Sequence, residues 1–397
     1  MSKKDWLGEQ PRDNKQGRQL RGRVRVLDYP FGEIPENPNP RSHDGKKCLR
    51  TKVAKDIKST LVDSPESLSD RNRGLTVLAD DEGTYYDAAK QVLYIQLSKV
   101  LHGLIDGGTT QRVAGDVVAW ARDSGNGELK AMKASSLNLE VITGVTSRAE
   151  IIDISRARNS YVPVKAMSLA NSMGTFKELK AVLDERHPGL VRYEENQDGR
   201  VGIDEVLCIF NLFHPDYVSG ETHPVFSTTR KGEITVRYQE HKEGFIALQP
   251  LWLSILEMHD YVSSTFSDKY RAFTRGGRLP SIKREDGQSG RRSSFEKYPA
   301  PKPCNFSPML SSVCVPIGVL YPVLASLRSI LRFGKNGASW KRDPKGFWDE
   351  HGPAIVHECV RQFREETKCI PTEFCKNDRS YRNLLQTALI CLAPKQD

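Results

Sequence analysis

The stretch with the densest chemical potential is Ile105-Asp106-Gly107-Gly108-Thr109-Thr110-Gln111-Arg112, where a carboxylate, two glycines, two hydroxyls, an amide and a guanidinium follow one another. Glycine tolerates positive φ and threonine caps helices, so this composition predicts a corner between a strand and a helix. Such a corner turns backbone N–H groups toward whatever lies above the strand, and the helix start adds partial positive charge. The chemistry that fits is capture of an anion by Gly107, Gly108, Thr109 and Thr110, with Gln111 as a donor and Arg112 as a fork for phosphate. Hydrolysis of a phosphoester needs more: a carboxylate pair to hold a divalent ion, and cations for the transition state. Asp106 with Asp80, Asp81 or Glu82 would supply the pair for an ion such as Mg²⁺, and Arg73 and Arg112 the cations. Asp106 and Arg112 are therefore the catalytic candidates, and Asp106 the metal candidate. The plain alternative is a structural turn, with Asp80 to Glu82 an exposed acidic turn. No third glycine completes a dinucleotide fingerprint, and no Gly-Lys-Ser/Thr closes a phosphate loop.

The flanking elements follow from periodicity. Val92, Tyr94 and Leu97, then Leu101, Leu104 and Ile105, make two short strand-like runs, whereas Val113, Ala114, Val117, Val118 and Ala121 recur at helical steps. Residues 21–27 and 137–143 alternate as strands, residues 75–79 form another, and Asp80 to Gly83 reads as a hairpin turn. Helices are expected over residues 52–61, 147–159, 203–213, 248–261, 319–333, 353–367 and 379–392. His351 and His357 stand six apart, so they leave different faces of a helix and make no zinc pair.

A chain of 397 residues, 38% hydrophobic and 27% charged, is long enough for two domains. No run approaches a membrane span and no apolar signal core opens the chain, which predicts a cytoplasmic protein without a membrane partner. The eight cysteines include no Cys-x-x-Cys pair. The net charge of +9 gathers in two places. One is residues 1–26, with Lys3, Lys4, Arg12, Lys15, Arg18, Arg21, Arg23 and Arg25; the other holds Arg271, Arg275, Arg278, Lys283, Arg284, Arg291, Arg292 and Lys297. Basic segments of this kind neutralise nucleic-acid phosphates or serve as solvated linkers.

Three segments in order resemble the abortive-infection phage-resistance (AIPR) family. Asn72-Arg73-Gly74-Leu75-Thr76 is similar to its Asn-x-Gly-hydrophobic-Thr strand entry, Asp106-Gly107-Gly108-Thr109-Thr110 to its Asn-Gly-x-Gln-Thr turn, and residues 154–164 to its Ala-x-x-x-Asn-x-x-x-Pro-Val helix end. Tyr193-Glu194 matches its aromatic-Glu strand, so the resemblance covers roughly residues 70–196. Two positions depart from the pattern, Asp106 for the usual Asn and Thr109 for the usual Gln. The acid also resembles the Asp-Gly-x-His-Arg turn of partition-protein and sulfiredoxin-like domains, where the turn faces a nucleotide or phosphate. The resemblance implies a bacterial defence context and supplies no reaction.

The expected architecture is mixed α/β: a basic arm over 1–26, an AIPR-like domain with a mixed sheet over 27–215, and a mainly helical domain over 216–397 containing a basic linker at 264–303. The expected phosphate ligands are Asn72, Arg73, Gly107, Gly108, Thr109, Thr110, Arg156, Arg158 and Asn159. The expected partner is nucleic acid or a nucleotide, with room for a homo-oligomer. Two functions stay open, a phosphoester hydrolase (nuclease or nucleotide hydrolase) and a non-catalytic nucleic-acid-binding or interaction module.

Overall fold

The computed structural model describes residues 5–12, 16–36, 38–39, 48–98, 101–124, 129–130, 132–158, 165–280 and 295–393. It divides into two units, Met1–Lys180 with Arg192–Gly199, and Ala181–Val191 with Arg200–Asp397. The architecture is mixed α/β, with a mixed sheet toward the N-terminus and a mainly helical remainder. Residue 215, the expected end of the first domain, lies inside the second unit.

The first unit is built on a five-stranded sheet. Its strands are β1 (Trp6–Pro11), β2 (Arg18–Arg25), β3 (Leu75–Ala79), β6 (Gly103–Asp106) and β7 (Ser136–Thr143), in the order β1-β2-β7-β3-β6; β4 (Tyr85–Asp87) and β5 (Val92–Tyr94) form a separate hairpin. Trp6–Pro11 and Arg18–Arg25 thus supply two sheet strands within the stretch whose net charge reads as an arm. Arginines of that stretch are drawn into local pairs: Arg12 with Glu150, Arg18 with Asp81 at 3.1 Å, and Arg25 with Asp28 at 2.6 Å. Lys3, Lys4 and Lys15 lie outside the described residues.

Alternation decides the two faces of the sheet. Leu20, Leu75, Val77, Leu104, Leu137, Leu139 and Val141 enter the larger core, covered by helix α1 (Lys52–Asp63) and helix α3 (Gly108–Ser124). A short helix, α2 (Leu68–Arg71), leads into β3. Helix α1 starts where the Thr51 hydroxyl accepts from Ala54 N–H at 3.2 Å, a cap that satisfies one orphan donor. The opposite face has a small apolar half, Leu78, Ile105 and Ile142, closed by Ile151 of helix α4 (Arg148–Arg158). Its other half is polar. Downstream come α5 (Ala166–Ser172) and α6 (Lys177–Arg186), parted where Gly174 adopts φ +75°.

The second unit is mainly helical: α7 (Ile203–Asn211), α8 (Trp252–Thr274), α9 (Ile317–Ser326), α10 (Pro344–Glu365) and α11 (Asp378–Leu392), with short helices and hairpins between them. Both ends of the expected linker at 264–303 are structured: α8 runs to Thr274, and Glu296–Pro303 is a strand paired with Leu310–Cys314, while residues 281–294 lie outside the described residues. Lys283, Arg284, Arg291 and Arg292 lie outside the described residues. Residues 319–333 do not make one helix, because Leu331–Gly334 pairs with Gly337–Trp340 and ladder bonds override periodicity. Helix α10 begins at Pro344, nine residues before Pro353, since the Asp343 carboxylate caps Gly346 N–H at 2.6 Å and Pro suits the first turn.

The core of this unit holds one unusual pair. Arg328, 2% exposed, donates from Nη2 to Nδ1 of His223, 7% exposed, at 2.7 Å. Guanidinium has no acceptor, so the imidazole is neutral and carries its proton on Nε2. Burial, with the Arg328 charge second, pushes His223 down to about 4. A base whose folded pKa lies below its unfolded value near 6.5 contributes stability above that pH and loses it as pH falls toward 4. Burial also lowers His214. Urea unfolding at about pH 5 should therefore show roughly 1–2 kcal/mol less stability than at about pH 7. A His223→Gln variant, which keeps an acceptor and cannot titrate, should flatten that slope; an unchanged slope would remove His223 as its source.

Candidate functional site

The polar half of the second sheet face is a row laid down by strand register. Arg21 on β2 stands opposite Glu140 on β7, Glu140 beside Thr76 on β3, and Thr76 opposite Asp106 on β6. Four strands thus place a guanidinium, a carboxylate, a hydroxyl and a second carboxylate side by side. Asp106 joins the row through an irregularity: the β3–β6 register passes from Thr76↔Asp106 directly to Val77↔Leu104, and Ile105 is skipped. Strict alternation would send Ile105 and Asp106 to opposite faces, and the bulge removes that constraint.

Helix α4 roofs the row. Its Ile151 anchors one end on the apolar half, and Arg158 at the other end donates to Thr76 Oγ1 at 3.1 Å and pairs with Glu140 at 2.7 Å. Arg21 pairs with the same carboxylate at 3.1 Å. Glu140 is thus shared between two guanidiniums, in the charge-assisted geometry that makes strong hydrogen bonds. Together with Arg73, Gly74, Asn138 and others, Arg21, Thr76, Asp106, Glu140 and Arg158 line a cavity of about 340 Å³. Three arginines from a strand, a loop and a helix meet two carboxylates there, leaving formal charge of +1, which favours an anion.

Of the residues singled out by sequence, Arg73, Asp106 and Arg158 are brought together at this cavity. The glycine corner works differently from its expected role. Gly107 N–H donates to Asp106 Oδ1 at 2.8 Å, so the carboxylate itself takes the amide expected to bind an anion. Gly107 has φ +90°, and a Cβ there would sit 2.5 Å from Gly74 O, so the corner is packed against the entry to β3. Asn72 and Thr110 hydrogen-bond to each other at 3.1 Å, and Asn72 Oδ1 also accepts from Gly74 N–H at 2.8 Å. These two residues hold the loop before β3 to the first turn of α3. Gln111 is 7% exposed and turned into the core, accepting from Tyr29 Oη at 2.8 Å and donating to Ile34 O and Glu36. Gly108 opens α3 and is buried, and Thr109 next to it is half-buried; neither lines the cavity. The side chain of Arg156 and the whole of Asn159 lie outside the described residues.

Arg112 is separated from Asp106. It pairs with Asp116 at 3.6 Å along α3, on the face that carries Trp120, while Asp116 and Trp120 line a different groove with Lys55 and Lys58 of α1. An exposed pair four residues apart contributes little. An Arg112→Ala variant should melt within about 0.5 kcal/mol of the parent and keep any ligand affinity of the Asp106 cavity. A large loss of affinity, measured by titration, would place Arg112 in that site after all.

The expected carboxylate pair is also not formed with Asp80 to Glu82. Asp81 lies past the far end of β3, bonded to Thr143 and Arg18, and the Thr143 hydrogen bond, followed by Arg18, holds its carboxyl below the usual range. Across β3 the partner of Asp106 is Thr76, whereas Ala79, next to that acidic turn, pairs with Thr143. Among the described residues no group of three or more His, Cys, Asp or Glu is placed to hold a metal ion. The carboxylate sharing a cavity with Asp106 is Glu140. Position 140 carries no sequence signal beyond a charged residue alternating within an apolar strand, and that was the available clue.

Among the described residues no helix is long and apolar enough to cross a membrane. Neither a curated protein nor a solved structure matches the chain. A family model described as AIPR protein matches residues 37–373, which takes in β3, the Asp106 corner, β7 and α4 together with most of the second unit. With that match spanning most of its length, the chain belongs to the AIPR family, whose name places it among bacterial abortive-infection defence proteins.

Proposed function

We propose that this AIPR protein acts in anti-phage defence by binding the phosphate groups of nucleic acid or of a nucleotide in the cavity over the polar row. The observation that carries this reading is the convergence of Arg21, Arg73 and Arg158 from three separate elements on one cavity of about 340 Å³. Guanidinium forks suit phosphate, and a floor of strands fixes their spacing better than a loop would. Recognition is favoured over turnover because Glu140 is already engaged by two arginines and Asp106 by Gly107 N–H. Metal-assisted hydrolysis is the second reading, supported by Asp106 and Glu140 facing the same cavity. If a divalent ion bound there, it would polarise the phosphoryl group, with those two carboxylates as its protein ligands.

The test uses the full chain with labelled single- and double-stranded DNA, RNA and ATP, with and without magnesium. Bound fraction is followed against salt and products are resolved in parallel. Binding that weakens steeply with salt is expected, and Arg158→Met should lower affinity by about 10–100-fold and flatten the salt slope by about one phosphate contact. Unchanged affinity in Arg158→Met would sink the proposed site. Product formation that requires magnesium would promote the hydrolase reading.

A further inference from the structure

The second unit holds a cation buried without a bonded counter-charge. Arg328 lies in the short helix Leu327–Ile330 and is 2% exposed, and among the described residues the one group hydrogen-bonded to its guanidinium is the neutral imidazole of His223. Among the described residues its Nε and Nη1 nitrogens have no hydrogen-bond partner, nor does Nε2 of His223. The tautomer follows from the pair itself: His223 Nδ1 must accept from Arg328, so Nε2 carries hydrogen. Every unmet group on these two side chains is therefore a donor. A third side chain, the buried Ser380 in the first turn of α11, has a hydroxyl without a partner among the described residues, and it is free to donate as well as accept. Asp378 and Tyr381 of that turn lie within electrostatic reach of Arg328.

The local acids do not neutralise this charge. Asp378 is about half exposed and bonded to Arg382 at 2.9 Å. Burial drives the Tyr381 and Tyr217 hydroxyls upward, so neither is a phenolate at neutral pH. Burial lowers Arg328 only to about 10, which leaves the guanidinium charged. An unpaired buried charge is costly, and an excess of buried donors beside it calls for one kind of complement, an anion.

We propose that Arg328 and His223, with the first turn of α11, form an anion site in the second unit that takes a tetrahedral oxyanion of the phosphate class. The site shares no residue with the polar row of the first unit. Arg328 and His223 are buried within electrostatic reach of the first turn of α11, and an oxyanion, with acceptors on every side, complements donors carried by separate elements. An oxyanion there joins the helix Leu327–Ile330, the loop bearing His223 and the start of α11, so its binding would couple to the stability of the unit.

Orthophosphate is titrated into the full chain, exchanged against chloride at constant ionic strength, while thermal unfolding and binding heat are recorded. At an anion concentration about a hundred times the dissociation constant, the melting temperature should rise by roughly 5–10 °C, and sulfate should act similarly. Phosphate and sulfate stabilise many proteins by exclusion, so the readout is the difference between the parent and Arg328→Met. Arg328→Met should lose the specific rise and, in phosphate-free buffer, melt no lower than the parent, because the uncompensated charge is gone. Should that variant fail to fold, His223→Leu and Ser380→Ala serve, each expected to weaken phosphate binding about tenfold. Arg158→Met, at the polar row, should leave this titration unchanged, so the two sites fail or stand separately. Equal response in the parent and Arg328→Met, or unchanged affinity in both His223→Leu and Ser380→Ala, overturns the proposal.

Discussion

Gly74→Ala is expected to destabilise the first unit by about 3–4 kcal/mol, and to lower its melting temperature by roughly 6–16 °C. Two causes add. Gly74 has φ +91°, where a side chain is strained, and its new Cβ would lie 2.0 Å from Asn138 O on the neighbouring strand β7. The obstacle is backbone, so no rotamer relieves it. Nor is the damage local, since Gly74 O is the atom against which Gly107 packs, and displacing it moves the corner that presents Asp106. Gly8→Ala is the control: φ is +117° there, with nothing within 4 Å of the added carbon, so only the conformational cost of about 1 kcal/mol applies. Thermal denaturation of the two variants side by side tests this. A Gly74→Ala protein that melts with the parent would mean that the close approach of β3 and β7 is misplaced.

Glu140→Gln carries the second large effect, and its sign separates the two functional readings. Removing the carboxylate costs the charge-assisted bonds to Arg21 at 3.1 Å and Arg158 at 2.7 Å, about 1–2 kcal/mol of stability for this partly exposed network. It also releases two guanidiniums toward the cavity and withdraws one negative charge from it. In a phosphate-recognition site the variant should therefore bind nucleic acid about tenfold more tightly at low salt, with a steeper salt slope, while being less stable. In a metal-assisted hydrolase the same change would remove an ion ligand and abolish turnover. A binding titration and a product gel on one preparation decide between them, and an unchanged affinity would exclude Glu140 from the site.

Much of the local structure was legible beforehand. Alternation in residues 137–143 and 75–79 identified β7 and β3, and three- and four-residue steps from Val113 to Ala121 identified α3. The segments around Asn72, Asp106 and residues 154–164 carried the family. Less could be read of the site. The corner residues look like ligands by type, yet Asn72, Thr110 and Gln111 are occupied in holding loops to the core, because hydrogen-bond partners close in space are remote in sequence. Charge counting made residues 1–26 an arm, whereas Leu20 and its neighbours bury one face of a strand.

By itself, then, the order of residues determined which segments alternate, which wind into helices, where glycine must turn the chain, and the family to which it belongs. All of these are near-neighbour properties, set by periodicity and by the φ that each residue tolerates. Only the tertiary structure decided that Asp106 faces Glu140, Arg73 and Arg158 and parts from Arg112, Asp80 and Asp81. Those relations depend on strand order, on a single skipped residue at Ile105, and on where the end of α4 comes to rest. A one-residue slip in register exchanges the faces of a strand, and the sum of many weak contacts across the sheet fixes that register.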